Sequence, residues 1–181
     1  MSRNQWGRYQ GLLGGRKYLA STSIFAAGAK LYHAVPTTSI VWPAANRAFY
    51  APIVVERETV ITQLWCLNGS IVAGNIDVGL YASDGTRLTS AGSTAQAGTT
   101  VIQKFNITDL FIGPGLYYLA LALSDGATAT VGSMTTSLTQ INRVCGCAEQ
   151  ASAFALPATA TFESCTMTIM PAFGCVGDAV L

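Results

Sequence analysis

Asn75-Ile76-Asp77-Val78-Gly79-Leu80-Tyr81, followed by Asp84-Gly85 and Thr86–Ser90, is the stretch on which the fold turns. Ile76, Val78 and Leu80 fall on one face of an extended chain, with Asp77, Gly79 and Tyr81 on the other. That is the period-2 pattern of a half-buried strand. Asp84-Gly85 suits the positive φ angles of a type I′ turn, which would return the chain along Thr86–Ser90 as a partner strand. The same pattern recurs on both sides. Thr59–Leu67 is rich in β-branched and aromatic residues and ends at Asn68-Gly69, a strong hairpin signal. Val101–Ile107 alternates again. Gly113-Pro114-Gly115 makes a rigid turn before Leu116–Leu123, which is apolar on both faces and therefore predicts a central strand. Asp125-Gly126 closes that strand into Ala127–Val131, and Thr159–Met170 alternates as a last long strand. No helical period emerges after residue 50. Seven or eight strands with a turn every 8–12 residues predict an all-β fold, an antiparallel β-sandwich of jelly-roll or Ig-like type, preceded by an extended N-terminal arm.

The arm is set apart by charge. Residues 1–50 hold Arg3, Arg8, Arg16, Lys17, Lys30 and Arg47 and no acidic residue, whereas residues 51–181 carry four basic and nine acidic ones. Such asymmetry points the first fifty residues at an acidic partner or an acidic face of a neighbouring copy. Glycines and prolines break any regular period there, yet large apolar side chains such as Trp6, Tyr9, Tyr18 and Trp42 are interleaved with them. A disordered tail would lack such aromatics. The division read from the sequence is therefore a basic docking arm over 1–50 and a sandwich body over 51–181. Arg3, Trp6, Arg8, Tyr9, Arg16 and Lys17 are its expected partner-docking residues, because interface energy concentrates in aromatic and arginine anchors. Two other readings compete for part of the arm: a secretory signal with Tyr18–Ala29 as its apolar region, and a short amphipathic helix over 16–30. The first is weakened by a long basic lead and by Ser and Thr in the apolar stretch, so no cleaved signal peptide is expected.

Composition narrows the function. Charged residues make up 10% of the 181-residue chain, apolar residues 50%, and the formal charge is +1. A surface so sparsely charged favours association, and obligate interfaces are more apolar than ordinary surfaces. The longest apolar run, Leu116–Leu123, has eight residues, well short of the ~20 that span a bilayer as a helix, so no membrane partner is expected. Six cations over fifty residues are too sparse for a phosphate-tracking nucleic-acid patch.

Chemistry-bearing residues are few. Five cysteines, Cys66, Cys145, Cys147, Cys165 and Cys175, leave at least one thiol unpaired and argue against a secreted disulfide framework. Cys145-Gly146-Cys147 lacks the two-residue spacing usual in zinc sites, and His33 is the only imidazole. No metal, no cofactor and no enzyme are expected. Asp77 is the one acid whose position is not turn chemistry. It marks the exposed face of its strand or, as a remote alternative, is one half of a hydrolytic carboxylate pair. Asn68-Gly69-Ser70 and Asn106-Ile107-Thr108 are glycosylation sequons, relevant only in a secretory pathway.

The segment from Phe49 to about Val131 resembles a small β-sandwich of tailed-bacteriophage structural proteins. The resemblance rests on Phe49-Tyr50-Ala51-Pro52, Val60–Trp65, Gly74–Tyr81, Asp84–Leu88, Gly92–Ala95 and Gly113–Ala120. It implies a virion component without catalytic activity, most simply a capsid decoration (cement) protein, located in the virion and made in the host cytoplasm. The expected partners are the major capsid protein or another virion protein and further copies of the chain, with a trimer ahead of a dimer. The homo-oligomer is expected because Leu116–Leu123 and Phe162–Met170 carry more apolar side chains than one sandwich core holds. The alternative is a carbohydrate-binding host-attachment module of a tail or head fibre, with Tyr81, Tyr117, Trp65 or Tyr118 as a sugar platform.

Overall fold

The computed structural model describes residues 16–20, 38–135 and 139–179. Along the chain the elements are β1 Arg16–Ala20, β2 Thr38–Val41, β3 Arg47–Val55, β4 Thr59–Leu67, β5 Asn75–Ala82, β6 Arg87–Ser90, β7 Thr94–Ala95 and β8 Ile102–Ile112. Then come β9 Gly115–Leu123, β10 Thr130–Thr135, α1 Thr139–Val144, β11 Ala148–Gln150, β12 Glu163–Ser164, β13 Ile169–Pro171 and β14 Phe173–Ala179. All strand pairings among these are antiparallel. The large sheet runs β12-β11-β3-β9-β5-β6, with β7 also on β5; a second sheet runs β1-β14-β4-β8, and a ribbon runs β13-β10-β2. The chain is an all-β sandwich of packed antiparallel sheets.

Leu116–Leu123 becomes the centre of the large sheet, as its two apolar faces require. β9 lies between β3 and β5, with Leu121 opposite Phe49 on one side and Val78 on the other. Leu119, Leu121 and Leu123 point into the main core with Phe49, Ala51, Ile53, Ile76, Val78 and Leu80, and Leu64, Cys66, Phe105 and Phe173 close it from the second sheet. Phe49 meets Phe173 edge-on at a centroid distance of 6.2 Å, the arrangement that ring quadrupoles favour. The opposite face of β9 presents Ala120 and Ala122. A second apolar cluster covers them, built from Tyr50, Tyr81, Ala153, Leu156 and Ala160, with Phe154 and Phe162 at its margin. The segment 151–162 thus forms a strap over the large sheet. Most side chains expected to seek a neighbouring copy, Leu119–Leu123 and Ile169–Met170 among them, are buried within the chain itself. The volume argument for an oligomer therefore loses its basis.

Local chemistry explains most departures from the sequence reading. At Asp84-Gly85 only Gly85 takes a positive φ, +89°, and its N–H donates to the Ala82 carbonyl over 3.0 Å. A type I′ turn needs two such residues, so the expected turn type is corrected to one with a single left-handed glycine and a register shift between Leu80 and Tyr81. Asn68-Gly69 is not a hairpin turn. β4 pairs with β14 and β8, and β5 belongs to the other sheet. Gly69 is instead a point of close approach, where a Cβ would come within 2.3 Å of Thr130 Oγ1. At Asp125 the carboxylate accepts the N–H groups of Ala127, Thr128 and Ala129 at 2.9, 2.8 and 3.0 Å. These bonds, led by the one from Ala129, hold its pKa down at about 2.

Thr159–Met170 is not one strand; it pairs at β12, at β13 and at a lone bridge from Thr159 to Thr86. Between these its backbone is met by side chains. Asn142 Nδ2 donates to the carbonyls of Met167 and Ile169, Arg143 Nε donates to that of Cys165, and Glu149 accepts the Thr166 N–H. Asn142 and Arg143 come from α1, a helix that the sequence reading did not contain.

The expected boundary at residue 50 falls inside β3. Trp42, Ala48, Phe49 and Tyr50 are fully buried, and β2 pairs with β10. β1, within the expected arm, is a strand on the edge of the second sheet, with Arg16 opposite Asp178 and Ala20 opposite Gly174; the helical alternative for residues 16–30 does not hold at Arg16–Ala20. Integration into the sandwich thus begins N-terminal to residue 50. A chain begun at residue 51 is accordingly expected to show no cooperative thermal transition by circular dichroism. Phe49→Ala in the full chain should cost about 3–5 kcal/mol in denaturant titration. A truncated chain that melted like the full one would show that Trp42–Tyr50 contribute nothing to the core.

Candidate interaction site

Of the expected docking residues, Arg3, Trp6, Arg8 and Tyr9 lie outside the described residues. Arg16 and Lys17 stand on β1, in register with Asp178 and Gly177 of β14. The segment carrying them is thus part of a sheet edge at this point. His33 also lies outside the described residues.

Asp77 is not on an exposed face. Its side chain is fully buried beneath the 151–162 strap. Oδ2 accepts the Leu156 N–H at 3.1 Å, and the Arg87 guanidinium donates to the Leu156 carbonyl. Both polar groups of one peptide residue are therefore gripped by the β5–β6 hairpin. Around this grip Tyr81 donates its hydroxyl to the Pro157 carbonyl at 2.7 Å, Arg87 N–H donates to the Ala158 carbonyl and Ala160 N–H to that of Gly85. Burial raises the Asp77 pKa above the usual carboxylate value, opposed by the Leu156 amide and the Arg87 charge. The charge acting on it belongs to an arginine, not to a second acid. What Asp77 does here is fasten the strap.

The proposed sugar platforms fare unequally. Tyr81 is buried, packed edge-on against Tyr50 at 5.4 Å, and offers no face to a ligand. Tyr118 is half-buried and tilted against Phe162 at 4.3 Å. Tyr117 is half-buried with its hydroxyl on the Gly113 carbonyl. Trp65 is half-buried on β4.

All five cysteines are free thiols, and Cys145 is the least buried. Burial pushes Cys66 and Cys175 up to about 12 and also raises Cys147 and Cys165. Thiols so protonated are poor nucleophiles and poor metal ligands. Among the described residues, no three His, Cys, Asp or Glu side chains gather as a metal site. Nor is any helix there long and apolar enough to cross a membrane.

A different surface stands out. Val41, Ile71, Val101 and Ile102 are 45, 53, 49 and 54% exposed, and backbone pairing sets the segments that carry them side by side. Val41 is opposite Thr130, whose N–H donates to the Ile71 carbonyl. Asn68 N–H donates to the Val101 carbonyl, and Ile102 is opposite Leu67. Nothing in the period-2 reading marked these positions, because they cluster through loops and register rather than along one strand.

The grip on Leu156 yields a pH signature. With its folded pKa raised, Asp77 favours folding most in its neutral form. Stability should be highest below the ordinary carboxylate pKa and fall as pH rises through that value to the raised one. Asp77→Asn keeps an acceptor for the Leu156 N–H and should abolish this slope in melting temperature against pH. Asp77→Ala strands that N–H and should cost about 1–3 kcal/mol at every pH. Equal pH profiles for the wild type and Asp77→Asn would count against a strained buried carboxylate.

Set against known proteins, the chain matches no protein-family model, no curated sequence and no solved structure.

Proposed function

We propose that this chain is a structural component of a bacteriophage virion, a capsid decoration protein that docks through its basic N-terminal segment and self-associates. The observation that carries this reading is the exposure of Val41, Ile71, Val101 and Ile102 on segments that backbone pairing sets side by side. An apolar group of this kind on a chain with 10% charged residues is suited to burial in an assembly. The resemblance to phage sandwiches adds support, since the segment bearing it, Phe49 to about Val131, supplies β4, β5, β8, β9 and nearly all of β3. Of the six basic residues in the first fifty, Arg47 is paired with Glu149, and the other five supply charge for an acidic capsid surface. Docking residues remain Arg3, Trp6, Arg8, Tyr9, Arg16 and Lys17, and the partner is the major capsid protein or another virion protein. The closed homo-oligomer, a trimer ahead of a dimer, now rests on the aliphatic cluster instead of on surplus core residues.

Light scattering of the wild type at micromolar concentration should report a mass near three times the 18.9 kDa of one chain. Val101→Glu with Ile102→Glu, both on exposed positions, should leave the melting temperature within about 2 °C, as surface changes usually do, and shift the species to monomer. In co-sedimentation with purified capsids the wild type should pellet, less so as salt rises, because exposed charge pairs are screened beyond about 8–10 Å. A wild-type monomer that ignores capsids at all salt concentrations would overturn the reading.

A further inference from the structure

The outer face of the second sheet carries an irregularity that assembly does not require. Thr62 of β4 is skipped by both neighbouring strands. On one side the register passes from Ile61↔Leu110 to Gln63↔Asn106, so Ile107, Thr108 and Asp109 of β8 stand against Thr62 alone. On the other side it passes from Ile61↔Gly177 to Gln63↔Val176, leaving Thr62 without a counterpart on β14. Bulges re-aim side chains and are common beside binding sites. Here they turn both Thr62 and Gln63 away from the main core and open a cleft of about 280 Å³, lined by Thr62, Gln63, Asn106, Ile107, Asp109 and Val176.

The lining decides what such a cleft can hold. Gln63 Nε2 donates to Asn106 Oδ1 at 2.7 Å, which fixes the orientation of both amides. Gln63 Oε1, Asn106 Nδ2 and the Asp109 carboxylate make no hydrogen bond among the described residues. Together with the Thr62 hydroxyl they give a fixed set of neutral donors and acceptors plus one anionic acceptor. No cation lines the cleft itself, Lys104 standing beyond it opposite Trp65, so a phosphate or carboxylate seated in the cleft would meet repulsion from Asp109. A single carboxylate is too few for a calcium ion, which takes six to eight oxygens, usually from several acids. Adjacent hydroxyl groups, each able to donate to Asp109 or Gln63 and accept from Asn106, match the set.

An apolar ring sits along each side. Phe111 is two residues beyond Asp109 on β8. It is 57% exposed, between Leu110, which packs on the core, and the buried Ile112. Trp65 is two residues beyond Gln63 on β4, between the buried Leu64 and Cys66. Alternation therefore sets both rings on the face that holds the cleft. Polar groups for hydroxyls, flanked by aromatic faces for the C–H surface of a ring, are the two halves of a saccharide site.

We infer that the cleft between β4 and β8 binds a neutral saccharide, one ring of a glycan seated on Gln63, Asn106 and Asp109 and stacked by Phe111 or Trp65. This goes beyond a role in assembly and does not depend on it. It also moves sugar recognition away from Tyr81, Tyr117 and Tyr118, which belong to the other sheet. The size agrees with one ring, since pockets for larger ligands run from roughly 300 to 1,000 Å³.

The test uses the full ¹⁵N-labelled chain and the methyl glycosides of glucose, galactose, mannose and N-acetylglucosamine, with glucuronic acid as the acidic comparison. At least one neutral glycoside, at concentrations on the order of 10 mM as weak single-ring binding requires, should shift the side-chain amide signals of Gln63 and Asn106. Glucuronic acid should not. Asp109→Ala and Phe111→Ala, both at exposed positions, should keep the dispersed spectrum and weaken binding about tenfold or more. No shift with any glycoside would overturn the inference, as would binding that both variants leave intact. Capsid co-sedimentation of the same variants should be unchanged, so failure here is separable from failure of the assembly reading.

Discussion

Leu119, Leu121 and Leu123 on one side of β9, and Ala120 and Ala122 on the other, set a requirement that the rest of the sandwich meets. A strand apolar on both faces must be kept from water on both. The leucine side is covered by the second sheet, through Leu64, Phe105 and Phe173. Among the described residues no second sheet covers the alanine side; the 151–162 strap does, and small side chains there leave room for Tyr50, Tyr81 and Leu156. Backbone bonds tie the strap to the β5–β6 turn near its far end, at Ala158 and Ala160, and its middle needs another fastening. Asp77 and Arg87 provide it by taking the two polar groups of Leu156, and Tyr81 by taking the Pro157 carbonyl. One buried acid in the middle of a strand thus follows from the neighbouring strand's being apolar on both faces.

The same requirement shows why some elements were legible in the sequence and others were not. β4, β5 and β9 were readable because their burial alternates or saturates, and their ends carry Gly, Asn or Pro. Thr159–Met170 carried the same alternation yet is mostly unpaired, because period 2 reports an extended backbone and not what satisfies it. There the partners are the side chains of Asn142, Arg143 and Glu149, and no local pattern announces a side chain standing in for a strand. β14 escaped notice because Gly174, Gly177 and Asp178 dilute its β-branched content. Position 50 looked like a boundary because charge changes there, but charge follows the surface while Trp42 and Phe49 follow the core.

For interaction surfaces the limits were sharper still. Of the aromatic residues that the sequence offers as platforms, Tyr81 and Tyr118 are recruited as cover by the alanine face of β9, while Tyr117 packs on the main core and Trp65 stands on the second sheet. The groups left available are polar residues displaced by a register slip, Gln63, Asn106 and Asp109, and aliphatic residues brought together by loops, Val41, Ile71 and Val101. Neither set has a period along the chain. Asn106 was visible as part of a sequon and of the Val101–Ile107 alternation, readings that say nothing of its place beside Gln63.

These surfaces divide the labour of the sandwich. On the large sheet, the chain's own strap occupies much of the outer face, so Tyr50, Tyr81 and the alanines beneath it serve stability. On the second sheet, β1 extends one edge, while the far edge, β8, carries the three-residue excursion that opens the cleft. An edge strand can absorb such an excursion because it has a neighbour on one side only, and β4, paired along both edges, meets it by breaking register in both ladders at Thr62. Recognition therefore belongs where pairing is least constrained, and the strand that holds the core together is the one least free to take part in it.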